Sequence, residues 1–163
     1  MDDLFISDTI VKSISLEPRY INKNINEVIL KKIKENYEGK CIKNGYVKPG
    51  SIKIIKRSIG NIIASHFNGN VLFNMELSME VCNPLNGAVI EVQILNSNKM
   101  GHLAGVPYVD DSPLNILLAR QHHISKNHDE FNKLNISDIV KIKIIGKRFE
   151  YGDNQISIIG ILA

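Results

Sequence analysis

The 163 residues allow one ordinary domain or two small ones, and an apolar fraction of 44% is ample for a packed core, which excludes a disordered chain. No apolar run approaches the ~20 residues of a membrane-spanning helix, so we expect no membrane partner. The formal net charge of +3 is too small to indicate nucleic-acid binding over the whole surface, so any such surface must be a local patch.

The start of the chain and its cysteines predict an intracellular protein. The first residues, Met1, Asp2 and Asp3, are acidic where a secretory signal would be basic. Cys41 and Cys82 do not form a disulfide framework and have no neighbours at metal-ligand spacing. We therefore expect a reduced chain without a metal or another cofactor.

The first elements predicted along the chain are a strand, a helix and several short strands. Alternating apolar and polar residues indicate a strand over 9–16, after a loose lead-in over 1–8. Asn24 and Glu27 have the spacing of a capping box, and apolar residues recur at helical spacing as far as Tyr37. Gly39 would end this helix. Short strands are then expected near residues 41, 46–47 and 52–54.

One long strand and a proline-containing joint follow. Residues 71–82 alternate without interruption, and at ~3.3 Å per residue they would span about 40 Å. This exceeds the usual length of a strand, so we expect a bend, a bulge or a strand shared by two sub-domains. Residues 83–87 are turn-forming, which places the predicted domain boundary there and divides the chain into 1–83 and 84–163.

The second half of the chain contains five predicted strands. They cover residues 88–95, 101–106, 114–119, 140–144 and 156–162, with turns over 96–99 and 151–154. Five strands are the number that an oligonucleotide-binding (OB) barrel needs. We therefore predict an α+β, mostly β protein: an antiparallel sheet with one helix, followed by a five-stranded OB barrel.

Six short motifs occur in the same order as in a known family. They are Leu16-Glu17-Pro18, Glu38-Gly39-Lys40-Cys41, Gly45-Tyr46-Val47, Asn83-Pro84 with Gly87, Asn98-Lys99-Met100-Gly101 and Ile144-Ile145-Gly146-Lys147-Arg148. The chain resembles, over roughly residues 9–162, the stalk subunits of multi-subunit DNA-directed RNA polymerases. This family includes the seventh subunit of eukaryotic polymerase II, its archaeal counterpart and members from large cytoplasmic DNA viruses.

The resemblance implies a non-catalytic polymerase subunit. An N-terminal tip domain would dock on the core enzyme, on its largest subunit and neighbours, with Gly45, Tyr46 and Val47 as a candidate contact. The C-terminal barrel would bind nascent single-stranded RNA near the exit channel. The resemblance also implies a possible second stalk subunit as a partner, and a location in the nucleus or, for a viral protein, in the host cytoplasm and the virion.

The predicted RNA contacts combine cations for phosphates with flat groups for bases, as single-stranded RNA requires. They are Lys99, His102, Tyr108, Arg120, His122, His123, Lys147, Arg148 and Tyr151. Two features differ from relatives of the barrel. His102 and Leu103 stand where an aromatic residue often follows the glycine of the second strand, and the loop over 107–113 is longer.

Two alternatives from other functional classes stay open. The first is a free-standing OB-fold RNA-binding module, such as a translation or RNA-turnover factor. The second is a metal-dependent enzyme that uses His122, His123 and His128. Adjacent histidines on a strand point to opposite faces, which disfavours one shared ion. We find no nucleophile elbow and no phosphate-binding glycine loop in the sequence, so we expect no catalysis.

Overall fold

The computed structural model describes residues 4–124 and 127–163. Met1, Asp2 and Asp3, from which an intracellular protein was predicted, lie outside the described residues. The strands are β1 (Phe5–Leu16), β2 (Cys41–Ile42), β3 (Gly45–Val47), β4 (Lys53–Arg57), β5 (Asn61–Ile62), β6 (Val71–Cys82), β7 (Val89–Asn98), β8 (Gly101–Gly105), β9 (Leu114–Ala119), β10 (Ile139–Arg148) and β11 (Ile156–Leu162). The helices are α1 (Ile25–Tyr37) and α2 (His128–Lys133). None of the described helices has the length and apolar character needed to cross a membrane.

The chain divides into two compact units. The first contains the chain up to Lys40 together with Val47–Cys82, and the second contains Cys41–Tyr46 and Asn83–Ala163. The predicted fold class, a mostly β protein with an N-terminal sheet and a five-stranded barrel, is confirmed.

The first unit is built on the long strand β6. It pairs with β1 in an unbroken antiparallel register from Phe5↔Cys82 to Leu16↔Val71, while β4 and β5 pair with its other edge. The bulge considered for the long strand is absent from its ladder with β1, and the register shift lies instead in its partner β4, between Ile54 and Lys56. The prediction of a loose lead-in over 1–8 is wrong for residues 5–8, because they form ladder pairs with the end of β6.

Helix α1 has the predicted bounds but not the predicted cap. Asn24 occupies the N-cap position without a side-chain hydrogen bond, and its backbone oxygen accepts from the N–H groups of Glu27 and Val28. Ile29 and Ile33 form the buried stripe of the helix. Gly39 follows with φ 68° and donates its N–H to Val47 O at 3.1 Å, which ends the helix.

The second unit is a closed barrel with the strand order β7-β8-β9-β11-β10. All five predicted strands are confirmed. β11 runs parallel to β9 and antiparallel to β10, and β10 returns to β7 and closes the ring. Residues 120–123, expected at the end of the third strand, instead form a 3₁₀ turn (Arg120–His123).

A short hairpin from the first half of the sequence belongs to the barrel unit. The Cys41 N–H donates to Asp153 O at 2.7 Å, and the Gly152 N–H donates to Cys41 O at 2.8 Å. Asn83 Nδ2 donates to Asn44 O at 2.9 Å. These bonds attach the hairpin of β2 and β3 to the β10–β11 turn and to the chain that enters the barrel.

Gly160 and Gly146 provide a matched test of barrel packing. A Cβ on Gly160 would lie 2.7 Å from Ile142 Cδ1, whereas one on Gly146 would meet nothing within 4 Å. Because overpacking a filled core forces side chains from their rotamers, Gly160→Ala should lower the free energy of unfolding by about 1–3 kcal/mol. Gly146→Ala should change the free energy of unfolding by no more than about 1 kcal/mol, and any change should be stabilising. Denaturant unfolding of both variants is the measurement, and equal effects would contradict this account of the core.

Ionisation of Cys41 is predicted to lower the stability of the protein at alkaline pH. Burial, followed by the negative charge of Asp153, raises the pKa of its thiol from 9.0 to about 11. Below pH 9 the thiol is protonated in both states, and between pH 9 and about 11 only the unfolded chain releases the proton. The free energy of unfolding should therefore fall with rising pH across this window. Cys41→Ala should remove that part of the decline in denaturant titrations, and an unchanged slope would contradict the assignment.

Candidate nucleic-acid interface

The strand pairing divides the loops of the barrel between two ends. Gly101 pairs with Ala119, so the β7–β8 turn lies beside the 3₁₀ turn that follows β9. We call this the Lys99 end. Ile156 pairs with Leu114, so the β10–β11 turn lies beside the β8–β9 loop. We call this the Tyr151 end. The nine predicted RNA contacts are therefore distributed over two separate places.

The Lys99 end brings together exposed cations on an ordered backbone. Asn98 Oδ1 accepts the N–H groups of Met100 at 2.9 Å and Gly101 at 3.1 Å, which fixes the β7–β8 turn. The Arg120 N–H donates to Met100 O at 3.0 Å, and its guanidinium donates to Asn132 Oδ1 at 3.0 Å. Lys99, Arg120 and His122 are all exposed there.

His102 and His123 lie at the same end but are buried, with 4% and 1% of their surfaces exposed. Each ring packs against Phe131 of α2, with centroids at 4.5 Å for His102 and 4.4 Å for His123. A buried imidazole cannot stack on a base or contact a phosphate. We therefore remove both histidines from the predicted RNA surface.

The two imidazoles hold the Lys99 end together. The Leu162 N–H donates to His123 Nε2 at 3.1 Å, so His123 Nδ1 carries the proton and donates to Ala119 O at 2.8 Å. Since Phe131 O can only accept, His102 donates to it from Nε2 at 3.1 Å. His102 Nδ1 is buried without a hydrogen-bond partner. Histidine thus connects the 3₁₀ turn and α2 to the barrel strands.

The Tyr151 end has an excess of negative charge. Tyr108 and Tyr151 are exposed, at 83% and 67%, but four exposed carboxylates surround the two loops: Asp110, Asp111, Glu150 and Asp153. The cations at this end are Lys147 and Arg148, the last two residues of β10, and Arg148 pairs with Glu150 at 3.1 Å. Excess negative charge opposes phosphate binding, so this end is the poorer RNA surface.

Lys147 already has protein acceptors. Its ammonium donates to Asn83 Oδ1 at 2.6 Å and to Pro84 O at 2.9 Å. This half-buried lysine fixes the segment that leads into β7, and a phosphate would have to compete with both bonds. We therefore assign Lys147 a structural part in the barrel.

The outward face of β8, β9 and β11 lacks the chemistry of a stacking platform. Register places Leu103 beside Leu117 and Leu117 beside Ile159, with small or polar residues on either side. The residues of these strands that are not buried include neither a charged nor an aromatic side chain: Leu103, Asn115, Leu117, Ala119, Ser157, Ile159 and Ile161. Bases would find no flat partner on this face.

The predicted docking residues are buried. Gly45, Tyr46 and Val47 all lie in the interior, with Tyr46 5% and Val47 0% exposed. Their side chains are thus not available to a partner, and the exposed Lys43 is the accessible part of that hairpin. The loop around Gly45, Tyr46 and Val47 stays a predicted docking contact, but one that these three buried residues would not make through their side chains.

A different segment of the first unit presents apolar side chains to solvent. It is the connection from β4 to β6, residues 58–70, in which Ile59, Ile62 and Phe67 are 86%, 71% and 95% exposed. Hydrogen bonds at its base tie it to β6, from the Ser58 N–H to Asn74 O and from the Asn74 N–H to Ser58 Oγ. Its thirteen residues include no Asp, Glu, Lys or Arg. This absence of charge could have identified the segment from the sequence.

Metal binding finds no geometric support. No group of three or more His, Cys, Asp or Glu side chains in 4–124 and 127–163 is arranged to hold an ion. Of the three histidines considered for an enzyme, His123 has both ring nitrogens bonded to backbone, and His128 lies near Asn132 and Asp129.

Comparisons with known proteins agree with the fold. Residues 12–47 match the family described as "SHS2 domain found in N terminus of Rpb7p/Rpc25p/MJ0397". The chain is 24% identical to DNA-directed RNA polymerase II subunit RPB7 of Glycine max, and 25% identical to DNA-directed RNA polymerase II subunit 7 of Arabidopsis thaliana. Each alignment covers 90% of this chain and 86% of the relative. The resemblance predicted from the six motifs is thus confirmed, because the chain is similar to RPB7 proteins over 90% of its length.

Proposed function

We propose that the chain is a non-catalytic subunit of a DNA-directed RNA polymerase, with a docking unit and an RNA-contacting barrel. The observation that carries this proposal is the similarity to RPB7 proteins through both halves of the chain. Its partners would be the largest polymerase subunit and its neighbours, a second stalk subunit and nascent RNA. The same role applies in a nuclear polymerase and in a viral polymerase of the host cytoplasm.

The segment 58–70 is the proposed docking surface on the core. Exposed apolar patches mark interaction sites, and this segment combines exposed Ile59, Ile62 and Phe67 with a lack of charged residues. Phe67 has φ 48°, an unfavourable value for an aromatic residue, yet its ring is directed to solvent. A hydrophobic pocket on the core enzyme would accept such side chains, which bury large areas on binding.

The Lys99 end is the proposed RNA contact. Its described residues include Lys99, Arg120 and Lys133 against Asp129 and Glu130, and Met100 is 76% exposed beside the cations. Since an aromatic stacking platform is missing from the β8–β9–β11 face, phosphate contacts would supply most of the affinity. Such binding is weak and strongly dependent on salt.

The docking proposal predicts a loss of polymerase binding when Ile62→Asp and Phe67→Asp are combined. Two carboxylates would have to be desolvated in an apolar pocket, so capture of the full chain by purified polymerase core should fall at least tenfold. Aspartate tolerates the backbone conformation of Phe67, so the variant should fold.

Leu85→Asp is the matched control for docking. Leu85 is 71% exposed but lies in the barrel unit, so this change should leave capture at the wild-type level. Equal capture of the double variant and the wild type would remove segment 58–70 from the interface. Failure of the wild type itself to bind any core subunit would instead favour a free-standing RNA-binding module.

The RNA proposal predicts a smaller salt dependence when Lys99→Gln and Arg120→Gln are combined. Each phosphate contact on a single strand contributes about 0.7 to the slope of log K against log salt, so the slope should become shallower by about 1.4. Fluorescence anisotropy of a labelled single-stranded RNA over a range of salt concentrations measures it.

Lys143→Gln with Arg148→Gln removes the same two charge types from elsewhere on the barrel. Lys143 lies within β10 and Arg148 pairs with Glu150, so this control should retain most of the wild-type slope. If the control flattened the slope and the Lys99 and Arg120 pair did not, the RNA contact would have to be moved away from the Lys99 end.

A further inference from the structure

Strand β1 lies at one edge of the sheet in the first unit. Among the described strands it pairs with β6 alone, and this ladder has no bulge over all twelve residues. Natural edge strands are usually protected by shortness, bulges, proline or charges. β1 contains no proline, and its charged residues are Asp8 and Lys12 alone. Ile6 and Val11 are 68% and 73% exposed.

Two hydrogen bonds show which residues of β1 direct their backbone groups to this edge. The Thr9 N–H donates to Asp8 Oδ1 at 2.8 Å, and Ser15 O accepts from Lys32 Nζ at 2.8 Å. Both residues are odd-numbered, and backbone groups alternate along a strand in an antiparallel ladder. The odd residues of β1 therefore present N–H and C=O groups that an added strand could pair with.

We propose that β1 pairs antiparallel with β1 of a second copy of this chain, in the register centred on Ile10. In this register each Asp8 lies opposite Lys12 of the second copy, and the two-fold axis repeats this ion pair. Ile6 lies opposite Ile14, and Ser7 opposite Ser13. The hydrogen-bonded pairs fall on odd residues, as the orientation of Thr9 and Ser15 requires.

Charge complementarity selects both the occupant and the register. A shift to the next permitted register in either direction places Asp8 opposite an isoleucine, Ile10 or Ile14, and leaves Lys12 opposite Ile6 or Ile10. The self-pair centred on Ile10 is thus the register in which both charges meet an opposite charge. Forming it moves the Thr9 N–H from Asp8 to Val11 O of the second copy. The Lys12 ammonium, which lies 5.9 Å from the centroid of the Tyr37 ring, turns from that ring toward the Asp8 carboxylate of the second copy.

Charge reversal on the full chain tests the pairing without any polymerase. Sedimentation velocity should show a concentration-dependent monomer–dimer equilibrium for the wild type. Lys12→Asp and Asp8→Lys alone should each weaken dimerisation about tenfold, because like charges would lie opposite each other at two places. The double variant should restore the wild-type equilibrium. A wild type that remains monomeric, or a double variant no better than the single ones, would overturn the proposal.

Disulfide capture tests the register separately. Ile10 faces its own symmetry mate at a non-hydrogen-bonded pair, where Cα atoms lie about 4.5 Å apart, within disulfide range. Ile10→Cys should therefore form a covalent dimer under mild oxidation. Val11→Cys, which faces Thr9, should remain largely monomeric under the same conditions. Equal crosslinking of the two variants, or crosslinking of Val11→Cys alone, would contradict the register. The inference does not depend on the proposed function, because both measurements use the chain by itself.

Discussion

The parallel pairing of β11 with β9 is the constraint from which the barrel's functional geometry follows. Because these strands run in the same direction, the β10–β11 turn lies with the β8–β9 loop, and the β7–β8 turn lies with the 3₁₀ turn after β9. This separates a basic end, ordered by His102, Phe131 and His123, from an end with an excess of carboxylates. The location of the proposed RNA surface therefore follows from strand direction.

Local pattern predicted the elements well, because alternation and turn residues are local properties. The five barrel strands, α1 and β6 all lie where their periodicity placed them. Long-range pairing is not contained in periodicity, so residues at both ends of the barrel were assigned to one RNA surface. His102 and Ala104 are two residues apart in β8, so their side chains lie on the same face of the strand, and Ala104 is buried. This spacing could have indicated from the sequence that the His102 ring points inward. The burial of His123 depends on α2 and β11 and had no such signal.

Two further features were beyond the reach of sequence patterns. The hairpin Cys41–Tyr46 packs with a barrel more than a hundred residues further along the chain, through bonds to Gly152 and Asp153. A fragment beginning at residue 84 would lack these partners. The exposed segment 58–70 was missed because motif comparison favours ordered, glycine-containing turns such as 45–47, whereas the useful signal was the thirteen-residue absence of charge.

We propose that this chain, which is similar to RPB7 proteins through both halves, works as part of a polymerase. Affinity purification of the tagged chain from its native cells, followed by quantitative mass spectrometry, gives a direct test. We expect recovery of the largest polymerase subunits in near-equimolar amounts with the chain, and retention of the complex after nuclease treatment. Recovery of the chain alone, or with ribosomal or RNA-turnover proteins and no polymerase subunit, would contradict it.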